Sequence, residues 1–127
     1  MRQPRRGKGQ AAVEAALVLP VLLVMLLAVL SLGMLFTVEL VITNASREGA
    51  RYGAIGKSQP EIEDLVTGYL EQAKLTAASA SLEVKGAGGL SGTDVQVQIT
   101  YPVQLYIPVP GLPNPVAVQS QATMRIE

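Results

Sequence analysis

The chain contains no cysteine and no histidine among its 127 residues, and only 4% of its residues are aromatic. The absence of cysteine excludes disulfides, zinc–thiolate sites and thiol nucleophiles. The absence of histidine removes the commonest metal ligand and general base. We therefore predict a protein that is not an enzyme and that holds no metal or other cofactor. Chemistry by carboxylates, or by serine and lysine, stays formally open.

Acidic residues are missing from the first nine positions, although the whole chain has ten acidic and ten basic side chains. The basic side chains of this leader are Arg2, Arg5, Arg6 and Lys8, which leaves six basic and ten acidic residues, a net charge of −4, in the remainder. The leader is too short and too poor in aromatic residues to predict nucleic-acid binding. By the positive-inside rule it predicts a cytoplasmic N-terminus and an external C-terminal part.

Charge is also missing from a run of 24 residues, 15–38. A bilayer core is about 30 Å thick and is crossed by roughly 20 apolar residues in a helix. Pro20 and Gly33 interrupt the run, but both residue types are tolerated in membrane helices. The run is longer than the roughly 7 to 15 apolar residues of an ordinary signal peptide. It therefore predicts a transmembrane helix held in the lipid bilayer.

The helical pattern continues beyond the apolar run to residue 55, and Gly56 marks its predicted end. Ala45, Gly49 and Gly53 form a row of small residues at intervals of four, which lets another backbone approach closely. That backbone belongs either to the chain's own sheet, which we favour, or to a helix of a neighbouring subunit.

A second face of the same helical segment is polar. Its members are Asn44, Arg47, Glu48 and Arg51, spaced at i, i+3, i+4 and i+7. Glu48 and Arg51 are close enough along a helix to form an ion pair. The face is either a solvated surface of the domain or a surface that binds a partner, and the spacing alone leaves both open.

The remainder of the chain, residues 57–127, predicts one helix and a small antiparallel sheet. Ser58 and Glu61 form a capping box, with Pro60 in the first turn of a helix over about 59–75. Alternating apolar residues predict strands at 82–85, 95–103 and 116–126. The short connections favour antiparallel pairing, and Pro102 suggests an edge position near the end of its strand. The predicted fold class is α+β: a long N-terminal transmembrane helix, then one helix packed on an antiparallel sheet.

The junction between the basic leader and the apolar run is the most informative motif. Gly9 precedes Glu14 by five residues, and the carboxylate lies where a charge is costly. Here the chain resembles the prepilins of the tight-adherence (Flp) branch of type IV pilins. The resemblance implies that a membrane-embedded prepilin peptidase cuts between Gly9 and Gln10, with Glu14 as the fifth mature residue. Without the resemblance, Glu14 could simply mark the membrane boundary.

Three further segments are similar to one subfamily. Residues 13–20 (VEAALVLP) and 44–52 (NASREGARY) resemble the first and the post-membrane signatures of TadE-like proteins, and residues 122–127 (ATMRIE) resemble their terminal strand. Ala15 departs from the family pattern, in which an aromatic residue often follows the glutamate. Ser46 replaces a frequent alanine. The resemblance implies a minor pseudopilin with a role in pilus biogenesis and no enzymatic activity.

These observations predict three segments: a basic leader (1–9), disordered in water and cleaved off, a transmembrane helix that extends outside the membrane (10–56), and an extracytoplasmic α+β domain (57–127). The predicted function is that of a minor pseudopilin in the cytoplasmic membrane. Its expected partners are a prepilin peptidase, other pilins or pseudopilins, and membrane proteins of pilus assembly. The alternative is an uncleaved, membrane-anchored binding or signalling module.

Overall fold

The computed structural model describes residues 6–107 and 111–127. Its elements, in chain order, are α1 (Arg6–Ala54), α2 (Gln59–Gln72), β1 (Ser81–Lys85), β2 (Asp94–Val103) and β3 (Val116–Arg125). A short 3-10 turn (Ala77–Ser79) lies between α2 and β1. The predicted α+β fold is confirmed: a long apolar helix is followed by a second helix and a three-stranded antiparallel sheet.

Helix α1 begins earlier than the sequence predicts. Its first residue is Arg6, so residues 6–9 are helical and the prediction of a wholly disordered leader is wrong for this part. Residues 1–5 lie outside the described residues. The physical reason is that Arg and Lys are good helix formers, while a single glycine costs only about 1 kcal/mol in a helix that is already nucleated. The cost of Gly7 and Gly9 is therefore too small to end the helix.

The three strands form one sheet in the order β1–β2–β3, with both pairs antiparallel. Strand β2 is central, whereas Pro102 suggested an edge. The register explains the difference, because β1 pairs with β2 only as far as Ser81 opposite Thr100. Pro102 lies beyond that point and pairs only with Ala117 of β3. One side of β2 is thus a local edge, where a residue without an N–H group is tolerated.

The core lies between the sheet and the two helices. Its α1 members recur at helical spacing and begin at Val38, beyond the exposed part of the helix. The buried core residues are Val38, Ile42, Ala45 and Ala50 from α1, Ile62, Val66 and Leu70 from α2, Val95, Val97, Ile99 and Val103 from β2, and Ile126. The C-terminal half of α1 therefore contributes to the core of the domain. It also continues directly from the apolar N-terminal half of the same helix.

Helix α2 begins as predicted but ends three residues early. Glu61 accepts hydrogen bonds from the backbone N–H and from the hydroxyl of Ser58, each at 2.9 Å, which forms the predicted cap. At the other end, Lys74 has a φ of +60° and Leu75 N–H donates to the carbonyl of Leu70 at 2.9 Å. This is a Schellman ending with lysine in the position that usually holds glycine. Because the glycine is absent, the sequence did not reveal where the helix stops.

Candidate functional site

The N-terminal half of α1 stands free of the domain. Between residues 9 and 30 every side chain is exposed, except that Leu27 and Ala28 are half-buried. Residues 10–30 rise about 30 Å at 1.5 Å per residue, which equals the roughly 30 Å thickness of a bilayer core. The helix is long and apolar enough to cross a membrane. The free segment is therefore the part of the chain that could span a membrane.

Ser31 marks the point where the domain first meets α1. Its side chain is buried, and its hydroxyl donates to the carbonyl of Leu27 at 2.9 Å. The same oxygen accepts the backbone N–H of Tyr106 at 3.3 Å, although the two residues are 75 positions apart. In the last third of the uncharged run, Ser31, Leu35 and Val38 thus contact the domain, which the sequence pattern did not predict. No periodicity in the sequence distinguishes Ser31 from an ordinary serine in a membrane helix.

The three residues of the predicted processing and charge-pairing site lie in the first turns of α1. Gly9, Gln10 and Glu14 are all exposed. A Cβ placed on Gly9 would have no atom within 4 Å, so this backbone is open to approach from outside. Glu14 precedes Ser31 by 17 residues, a rise of about 26 Å. If Ser31 lies at the outer edge of a bilayer core, Glu14 lies near its inner edge.

The row of small residues faces the chain's own domain. Ala45, Gly49 and Gly53 are all buried. A Cβ on Gly49 would lie 3.0 Å from Val66 of α2 and 3.3 Å from Val97 of β2. A Cβ on Gly53 would overlap the side chain of Val95. In the structure, therefore, the row packs against α2 and the sheet of the same chain rather than against a helix of a neighbouring subunit.

The predicted polar face of α1 points away from the sheet. The side chains of Asn44, Arg47 and Arg51 are exposed, and that of Glu48 is half-buried. Arg51 Nη1 lies 3.8 Å from Glu48 Oε2. An exposed pair at this distance contributes at most about 1 kcal/mol to folding. The exposed side chains of this face are accessible to a partner. Whether the face is a solvated surface or a binding surface stays open.

Ser46 is a further contact that sequence reasoning did not find. Its hydroxyl is fully buried, donates to the carbonyl of Thr43 at 2.9 Å and lies 3.1 Å from the hydroxyl of Ser120 on β3. The departure from the family's frequent alanine at this position therefore has a structural counterpart in the sheet. The only signal in the sequence was a polar residue within the small-residue face, and its partner could not be read from it.

The domain also has an open cleft of about 320 Å³ beside α1 at the level of Met34. Its lining residues are Met34, Ser79, Tyr101, Pro102, Val103, Gln104 and Pro115. The lining side chains include no Asp, Glu, Lys or Arg. Within residues 6–107 and 111–127, no three Asp or Glu side chains come together as a metal ion would require.

A comparison with known families matches the N-terminal part of this chain. The family model described as TadE-like protein matches residues 9–51, about a third of the chain. The match covers Gly9, Glu14, the free apolar segment and the polar face, and it confirms the resemblance to TadE-like proteins. The comparisons with curated proteins and with solved structures found no match.

Proposed function

We propose that this TadE-like chain is a non-enzymatic minor pseudopilin, matured by a prepilin peptidase, that takes part in the assembly or initiation of a tight-adherence pilus. The observation that carries the proposal is the TadE-like match over residues 9–51. This segment includes both the Gly9–Glu14 spacing and a helix able to span a membrane. The family suggests a role in the tight-adherence pilus system and is not known as an enzymatic one.

The apolar segment of α1 serves this role in two stages. In the bilayer, its exposed side chains are covered by lipid, which stores the subunit in the membrane. During assembly, helices of other pilins or pseudopilins replace the lipid. The apolar surface of the helix is shielded from water equally well by lipid and by other helices. Side-chain packing and polar contacts therefore decide between the two environments. Helix α1 thus supplies both the anchor and the contact with neighbouring subunits.

Cleavage changes the charge at the start of this helix. Hydrolysis of the bond between Gly9 and Gln10 removes the four basic side chains of the leader. It also creates a new α-amine on Gln10, four residues and about one helical turn from the carboxylate of Glu14. A lone carboxylate in a dry helical bundle is costly unless it is paired. The α-amine, in the same chain or in a neighbour, is the counter-charge that offsets this cost.

Other pilus components are the partners that this mechanism requires. A prepilin peptidase must reach Gly9, whose surroundings are open. Pilins, pseudopilins or membrane proteins of assembly meet the exposed side of α1, including Arg47 and Arg51. The N-terminus lies on the cytoplasmic side of the membrane and the α+β domain lies on the outer side. The basic leader favours this orientation.

The mass of the mature N-terminus tests the proposal. Protein isolated from membranes that contain a prepilin peptidase should begin at Gln10, and protein from a strain without the peptidase should keep residues 1–9. Gly9→Val should block the cut, because a branched side chain prevents close approach of the protease to this bond. Gly7→Val is the matched control, since Gly7 lies in the same open turn, and it should be cut normally.

Two results would contradict the proposal. An intact N-terminus in the presence of an active peptidase favours the alternative, an uncleaved binding or signalling module. Normal cleavage of Gly9→Val before Gln10 would show that the processing site is misassigned. Either result leaves the fold unchanged, because Gly9 contacts no part of the domain.

A further inference from the structure

The described residues of the connection between β2 and β3 lie at the end of the domain that faces the free segment of α1. We name its described residues, 104–107 and 111–115, the membrane-side loop. We propose that this loop is a second contact with the bilayer, which rests in the interface of the outer leaflet beside α1. The inference goes beyond pilus assembly but rests on α1 crossing the bilayer, as the proposed function requires.

The loop contacts α1 at the end of its free segment. Tyr106 N–H donates to Ser31 Oγ, so the loop contacts α1 where its free segment ends. Gln104 and Pro115 line the same cleft as Met34, which holds both ends of the loop at this level of the helix. Because residues 10–30 already span about 30 Å, the thickness of a bilayer core, the loop lies at the plane where that core gives way to headgroups.

The opposite end of the sheet lies far from this plane. The turn between β1 and β2 is held near the C-terminal end of α1, where Gly92 N–H donates to the carbonyl of Ile126 at 2.8 Å. The next residue, Glu127, donates its N–H to the carbonyl of Ala54 at 3.2 Å. The sheet therefore has a distal end at residue 54 of α1 and a membrane-side end at residue 31, a separation of about 34 Å along the helix.

The loop is uncharged and exposes apolar side chains. No Asp, Glu, Lys or Arg occurs anywhere in residues 95–124, although the domain is charged on both sides of this stretch. At the loop, Tyr106 is 66% exposed and Leu112 is 50% exposed, while Ile107 is half-buried. Tyrosine is enriched at membrane–water interfaces, where its ring contacts acyl chains and its hydroxyl contacts water. An uncharged surface of this kind is stable against lipid and costly in water.

The bilayer is the occupant that these observations favour over another protein. Lipid already surrounds α1 up to Ser31, so the loop continues an existing apolar contact without a gap. Contact with the interface also fixes the tilt and height of the domain, because the loop and α1 are joined at Ser31. A neighbouring subunit would require a complementary surface, and the loop has no charge with which to select one.

Single tryptophans test the inference, because the chain has no tryptophan of its own. The full chain is reconstituted in vesicles of phosphatidylethanolamine and phosphatidylglycerol, with brominated lipids that quench at shallow or deep positions. Tyr106→Trp should lose fluorescence to shallow bromines more than to deep ones, with emission shifted to the blue. Leu112→Trp is an independent probe of the same loop and should behave likewise.

Two control variants separate the possible failures. Leu90→Trp lies in the turn at the distal end, where Leu90 is 82% exposed, and should not be quenched by either lipid. Leu22→Trp lies in the middle of the free segment of α1 and should be quenched most by deep bromines. If Leu22→Trp is quenched but both loop probes match Leu90→Trp, the loop contact is refuted and the anchor of the proposed function stands.

The remaining outcomes are equally decisive. If Leu22→Trp is not quenched, α1 does not cross the bilayer, and the proposed function loses its membrane stage together with this inference. If the loop probes shift to the blue without any quenching by bromines, protein rather than lipid covers them. That result would overturn the bilayer as occupant and assign the loop to contact with another subunit.

Discussion

Gly53 is the residue that sets how closely α1 approaches the sheet. It is buried, and a Cβ at this position would overlap the side chain of Val95 in the central strand. Gly49 is nearly as tight, because a Cβ there would lie 3.0 Å from a methyl group of Val66. The two glycines therefore act in the packing of this chain's own domain, although a small-residue row in a membrane protein usually suggests contact between helices.

Gly53→Ala should lower the free energy of unfolding by about 1–3 kcal/mol, because overpacking forces the sheet away from α1. Gly68→Ala is the matched control: Gly68 lies within α2, and a Cβ there would meet no atom within 4 Å. That change should raise stability by about 0.5–1 kcal/mol, since alanine is the better helix former. Thermal unfolding in detergent micelles measures both. Equal stability of Gly53→Ala and the wild type would contradict the close packing.

Glu14 is the second decisive residue. A carboxylate costs about 2.5–3.5 kcal/mol at the centre of a membrane helix on insertion scales, and less near the edge. Glu14→Ala should therefore insert and be cleaved normally. We expect it to fail in assembly, because the new α-amine of Gln10 loses its counter-charge, and we expect Glu14→Asp to be intermediate, because its charge remains but its reach is shorter.

The measurement for Glu14 is pilus formation, or co-purification with other pilus components, in a strain without the native gene copy. Glu39→Ala is the control, because Glu39 is also an exposed carboxylate of α1 but lies beyond the free apolar segment. It should assemble normally. Full assembly by Glu14→Ala would reduce Glu14 to a marker of the membrane boundary.

At the scale of single elements, α2 shows how local hydrogen bonds set a helix end. Hydrogen bonds from the backbone N–H of Ser58 and then from its hydroxyl, together with Lys57, lower the pKa of Glu61 below its usual 4.5. A lowered pKa in the folded state means that the ionised carboxylate stabilises the fold. This contribution is complete above pH 4.5 and is lost as the pH falls through the folded-state pKa.

Glu61→Gln should therefore lower the unfolding temperature at neutral pH, and its difference from the wild type should shrink as the pH falls below about 4.5. Ser58→Ala removes the hydroxyl but keeps the backbone donor, so its effect should be smaller and should depend on pH in the same direction. Unfolding of the full chain in micelles, followed at several pH values, measures this. A difference that stays constant down to strongly acidic pH would show that the cap acts without the charge.

At the scale of the whole molecule, the basic leader and the domain lie at opposite ends of the free segment of α1. The positive-inside rule predicts that the domain lies outside. A reporter that is active only after export should work when it is fused after Glu127, and a reporter that is active only in the cytoplasm should fail at the same point. The reverse result would overturn the orientation and, with it, an external position for the membrane-side loop.

The sequence by itself predicted the helices and strands and the candidate junction at Gly9 and Glu14. The uncharged run, the alternation in the strands and the capping residues at Ser58 and Glu61 are local patterns, and local patterns are visible in one dimension. The junction at Gly9 and Glu14 and the TadE-like resemblance were local in the same sense. Even the local signals had gaps: the leader glycines did not stop α1, and Lys74 ends α2 without the expected glycine.

Only the tertiary structure decided which part of α1 packs on the domain and which part stands free of it. Residues 15–38 look uniform in the sequence, but Ser31 receives the N–H of Tyr106 and divides them. Likewise, Ser46 meets Ser120 and Gly53 meets Val95 across separations that no local pattern records. The physical reason is that helical periodicity shows which face is apolar, whereas lipid, a neighbouring helix and the chain's own sheet are all apolar partners. Long-range contacts alone distinguish them.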